Sequence, residues 1–133
     1  MNQVALVKFF EFTQNNSGGS FDVDDKVCHR LFIEAVDEKQ AISIAESLGV
    51  YFDGCEKGMD CECCGDRWSS YTEEITFPYE MGIKFTTVEE YAQFLADKYG
   101  WTTPDARIFY LNGVVKEIYK PSKTKIRGNV QGK

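Results

Sequence analysis

The chain is short of the groups that carry chemistry. It holds one histidine, His29, in 133 residues. The patterns G-x-S-x-G, H-E-x-x-H and H-x-E are absent, as is a paired-carboxylate signature, so no familiar catalytic class is legible. No apolar run approaches the ~20 residues that a membrane-spanning helix needs. The opening Met1-Asn2-Gln3-Val4 has neither a basic segment nor a small-residue cleavage site, so secretion is not expected. No second C-x-x-C accompanies the one present, and neither Lys-Ser nor Lys-Thr directly follows the Gly-Gly stretch, which excludes a P-loop. Catalysis is therefore not expected; a binding role is.

What is present is an ordinary globular mixture, 43% hydrophobic, 14% aromatic and 27% charged, in a length that suits one domain. Five cysteines, two of them adjacent at Cys63-Cys64, fit reduced thiols or a metal site better than a disulfide framework. The net charge of −6 is unevenly spread. Residues 1–80 carry 16 acids and 6 bases, and residues 81–133 carry 5 acids and 9 bases. Duplex nucleic acid rewards many cations facing many phosphates, so the acidic body argues against it as a partner. Residues 121–133 read as a basic tail, expected to be mobile, after a single domain over 1–120.

Hydrophobic patterning predicts the elements. Val4 to Phe12 and Val27 to Ala35 read as strands, the second with Val27, His29, Leu31, Ile33 and Ala35 on one face. Asp37 with Gln40 predicts a helix cap, Ala41, Ile42, Ala45 and Leu48 its apolar stripe, and Gly49 its stop. Residues 50–82 form a cysteine-rich irregular segment with room for one short strand near Trp68–Phe77. A second helix over 87–99 follows a threonine–glutamate cap, with Val88, Tyr91, Ala92, Leu95 and Tyr99 as its stripe. Asn112-Gly113, between Arg107–Leu111 and Val114–Tyr119, predicts a hairpin with a type I′ turn. The fold class is α+β: an antiparallel sheet of about four to five strands with helices over 38–48 and 87–99 on one face. A sheet with open edges and 19 aromatic residues also suits a homodimer.

Three constellations carry the functional reading. Cys61 and Cys64 have the spacing and following glycine of a zinc knuckle, whose two thiolates grip one tetrahedral ion. Cys55 and His29 are candidates to complete the set, with Cys63 and Cys28 as the other soft donors; the competing reading is a loop of reduced thiols. The stretch Asn15-Asn16-Ser17-Gly18-Gly19 can turn backbone N–H groups toward an anion, or serve simply as a flexible connector. In Asp66-Arg67-Trp68 the arginine can fork onto a phosphate beside a stacking ring, or pair with its aspartate while Trp68 enters the core. On the first of these readings, truncating Arg67 costs binding and little stability. His29 is expected to be a structural core residue, and Cys28 beside it should point to the other face, which keeps the two from acting as a nucleophile and base.

Taken together, the Gln14–Phe21 loop, the segment His29-Arg30-Leu31-Phe32-Ile33-Glu34-Ala35 and Asp60-Cys61-Glu62-Cys63-Cys64-Gly65-Asp66-Arg67-Trp68 resemble a group of small accessory proteins of tailed bacteriophages. The resemblance covers roughly residues 6–70 and brings no catalytic residue with it. It implies action in the bacterial host cytoplasm, which suits reduced cysteines. The resulting expectation is a protein that counters host defence by sequestering a nucleotide-like, host-derived small molecule. The alternative is a zinc-stabilised protein-binding inhibitor of a host enzyme, which makes the partner a host protein.

Overall fold

Strand β2, Arg30–Ala35, is the element around which the molecule is built, because its residues are buried on both faces. The computed structural model describes residues 8–15, 21–60, 65–68, 73–74, 79–80, 83–84 and 87–120, the three dipeptides by their backbone. The chain order is β1 (Lys8–Thr13), β2, α1 (Glu38–Leu48), β3 (Glu73–Glu74), β4 (Tyr79–Glu80), β5 (Ile83–Lys84), α2 (Val88–Tyr99), β6 (Ala106–Phe109) and β7 (Val115–Ile118). Five strands form one sheet in the order β3-β1-β2-β6-β7, and β4 pairs with β5 separately.

The α+β class and the two helices stand as expected, and two details of the architecture differ. β2 pairs antiparallel with β1, Phe10 opposite Ile33, but parallel with β6, Phe32 opposite Ile108, so the sheet is mixed. The helices cover opposite faces. Leu31, Ile33 and Ala35 pack with Phe10, Phe12, Trp68 and α1 residues Ala41 and Ala45. Phe32 packs the other way, with Ala106, Ile108, Ile118 and the α2 residues Val88, Tyr91, Ala92, Leu95 and Ala96. A continuous apolar run is the signature of a strand buried on both faces, and the alternation of Leu31, Ile33 and Ala35 shows only one of them.

Local chemistry sets the helix ends. Asp37 Oδ1 accepts from Gln40 N–H at 2.9 Å, and the Gln40 side chain reaches back to accept from Val36 N–H at 2.8 Å. Gly49 closes α1 in the left-handed region at φ 113°. Thr87 caps α2, its hydroxyl accepting from Glu90 N–H at 3.2 Å. In α2, Ala96 is buried, whereas Tyr99, placed on the apolar stripe by spacing, is 45% exposed. β2 begins at Arg30, so the strand phase does not extend back to His29. Among the described residues no helix is long and apolar enough to cross a membrane.

The hairpin between β6 and β7 forms, but not with the expected turn. Gly113 N–H donates to Tyr110 O, and Tyr110 N–H to Val114 O, each at 2.9 Å. Gly113 is left-handed at φ 96° and Asn112 is not, which makes a type I turn followed by a glycine bulge. Asn112 contributes through its side chain, Oδ1 accepting from Val114 N–H at 3.0 Å. Gly113→Ala has open space for its methyl but the wrong backbone region, so it should lower stability by about 1–2 kcal/mol. Gly113→Asn should cost less, as read from urea midpoints.

Candidate functional site

The end of β1 organises one cluster. Gln14 forms an isolated bridge with Trp68 and donates its amide N–H to His29 O at 2.9 Å. Its side chain ties together two points of the connection between β1 and β2, Nε2 donating to Asp22 O and Cys28 O at 2.7 Å each, while Oε1 accepts from Asp22 N–H at 2.8 Å. Asn15 N–H donates to Arg67 O at 2.7 Å, and Asn15 Nδ2 donates to Asp66 O. Asn15, Asp66, Arg67 and Trp68 are thus neighbours in the fold. Asn16, Ser17, Gly18, Gly19, Cys61 and Cys64 lie outside the described residues.

The roles within that cluster differ from expectation. Trp68 is 1% exposed, its ring enclosed by the core with Phe10 and Phe12, which leaves no face for a ligand. Arg67 is ringed by acceptors: Tyr51 Oη and Asp22 Oδ2 at 3.3 Å, Gln14 Oε1 at 3.4 Å and Asp60 Oδ1 at 3.8 Å. Its amide also donates to Asp60 Oδ2 at 2.8 Å. With its side chain 11% exposed and that of Asp60 fully buried, Arg67 ties the 51–68 segment to the strand ends. Arg67→Ala should therefore cost about 1.5–3 kcal/mol of stability in urea denaturation, since it strips a buried carboxylate of its cation.

A second cluster joins the starts of β2 and β6. Asp105 is fully buried, and its Oδ1 accepts from His29 Nδ1–H at 2.8 Å, Trp101 N–H at 2.9 Å and Thr102 N–H at 3.4 Å. Arg30 Nε lies 3.4 Å from Asp105 Oδ2, and Arg30 Nη1 donates to Glu11 Oε2 at 3.2 Å. Burial works to raise the Asp105 carboxyl; the His29 hydrogen bond, the Trp101 amide and the charges of His29 and Arg30 outweigh it and hold the group below its ordinary 3.8. Cys28 is also buried, its thiol donating to Arg30 O at 3.5 Å, and burial pushes it up to about 12. It stays protonated and is no nucleophile.

Above this cluster lies an aromatic shelf. The Phe21 ring meets His29 edge-on with centroids 5.0 Å apart, and lies 6.0 Å from Trp101 at 31°. Trp101 is 69% exposed. Sequence reasoning passed over Asp105 and Trp101, which lie more than seventy residues from His29 in the chain. The available signals were Phe21 closing the Gly-Gly loop and Trp101 directly after the helix-stop glycine.

For a metal, the described donors do not converge. His29 commits Nδ1 to Asp105, Cys55 N–H donates to Asp66 Oδ1 at 2.9 Å, and no group of three or more His, Cys, Asp or Glu side chains is arranged for an ion among the described residues.

The Asp105 carboxylate makes stability depend on acid. Because its pKa is lowered on folding, its contribution is present above the ordinary value of 3.8 and is lost as pH falls through the lower folded value. Urea midpoints measured from about pH 6 downward should fall along that limb. Asp105→Asn should flatten the limb and cost at least about 1.5–3 kcal/mol at neutral pH.

No curated protein and no solved structure matches the chain. A family profile does, over residues 7–127, and it is described as Domain of unknown function (DUF7296). The chain belongs to that family.

Proposed function

We propose that this chain is a phage accessory protein that acts by binding in the host cytoplasm, countering host defence by sequestering a nucleotide-like small molecule. The observation that carries the reading is the shelf of Phe21 and Trp101. A large indole left 69% exposed against a second ring is a stacking platform for a flat heterocycle. In sequence, Phe21 directly follows a stretch rich in small polar residues. The rings of the shelf take the part that Trp68 cannot. Val23 and Tyr99, each 45% exposed and close in sequence to Phe21 and Trp101, also suit a protein partner, the second reading.

Isothermal titration against cyclic and ADP-ribose-type nucleotides tests the proposal. One nucleotide should bind at a single site, and Trp101→Ala should weaken it by about 1–3 kcal/mol, the range for one stacked base, with the melting temperature unchanged. A panel without heat, alongside a stoichiometric protein captured from host lysate, would favour the protein-binding reading instead.

A further inference from the structure

His29 has one ring nitrogen in use and one open. Nδ1 is hydrogen-bonded to the Asp105 carboxylate at 2.8 Å, which makes Nδ1 the donor to that group and leaves Nε2 as the ring nitrogen that can meet a ligand. The side chain is only 8% exposed. Even so, Nε2 has no hydrogen-bond partner among the described residues. Asp105 is itself held by two backbone N–H groups and by Arg30, so the imidazole is fixed in both orientation and tautomer. A preset acceptor at the foot of two aromatic rings discriminates among flat ligands by the donor they carry.

We propose that His29 Nε2 accepts a hydrogen bond from the N–H or amino donor of a heteroaromatic base stacked on Phe21 and Trp101. The inference rests on the small-molecule reading above and narrows it to bases that bear such a donor. Asp105 acts as a positioning residue, fixing which nitrogen is the acceptor. A base of the same shape without the donor leaves a nearly buried acceptor unpaired, and is selected against.

The test uses the intact chain and two probes, adenosine monophosphate and purine riboside monophosphate, which differ by the exocyclic amino group. Since the protein has a single histidine, its ring nitrogens give one pair of signals in 15N NMR. The free protein should show a protonated Nδ1 and an unprotonated Nε2. Adenosine monophosphate should shift the Nε2 signal, and the analogue lacking the amino group should bind about tenfold more weakly by calorimetry. Equal affinities, or an Nε2 signal that stays in place as adenosine monophosphate saturates, would overturn the inference and leave the small-molecule reading standing. No binding by these probes or by the cyclic and ADP-ribose-type nucleotides would overturn both.

Discussion

The carboxylate of Asp105 is the group on which the arrangement of this molecule depends. It is fully buried at the start of β6, where its own N–H donates to Ile118 O at 2.9 Å and its carbonyl accepts from Arg30 N–H at 3.1 Å. A buried anion is tolerated only when its lone pairs are met, and here they are met by His29, Arg30 and the amides of Trp101 and Thr102. Those partners come from the entry to β2 and from the turn after α2. One charge thus fixes the parallel β2–β6 pair, the exit of α2 and the pose of the only histidine. Arg30 carries the linkage on to Glu11 of β1, whose other oxygen accepts from Tyr91 of α2 at 3.5 Å.

Arginines are used elsewhere in the same way. Arg107 side-chain nitrogens donate to Asp24 O at 2.6 Å, Val27 O at 3.2 Å and Glu117 Oε2 at 3.0 Å, which fastens the 24–27 turn to the hairpin. Arg30, Arg67 and Arg107 have side chains 8%, 11% and 6% exposed, so these guanidinium groups serve as internal brackets. A planar fork with five donors suits that task, because it satisfies several acceptors from different segments at once. The consequence for recognition is direct. The charge of these three guanidinium groups is already spent on carboxylates and carbonyls, and beside them the Trp101 ring is left exposed.

The sheet edge follows from the same allocation. Glu89 at the start of α2 binds Lys116 Nζ at 2.8 Å and accepts from Tyr110 Oη, and the Lys116 hydrogen bond foremost holds its carboxyl below the ordinary range. Lys116 and Glu117 occupy the middle of β7, the outer strand on that side. Charges there discourage a further strand from adding to the sheet.

Local physics made much of this legible in the sequence. Asp37 with Gln40, Thr87 with Glu90, and Gly49 act through bonds only a few residues long, so the helix ends could be read directly. The position of the β6–β7 hairpin was legible for the same reason, while its turn type was not, since Asn112 accepts either backbone region and strand register decides. Parallel pairing of β2 with β6, helices on opposite faces, and the burial of Trp68 arise from contacts across most of the chain, which periodicity does not encode. The candidate site divides along the same line. Asn15, Asp66 and Arg67 were recognisable as residue types, but whether Arg67 faces a ligand or a carboxylate depends on where Asp22 and Asp60 fold to. The sequence by itself determined the two helices, the strands before α1, the hairpin after α2 and that His29 is held inside, but not the short pair β4–β5. Only tertiary structure decided that Asp105 holds it and that Phe21 and Trp101 stand over it, because a buried charge selects its partners through space.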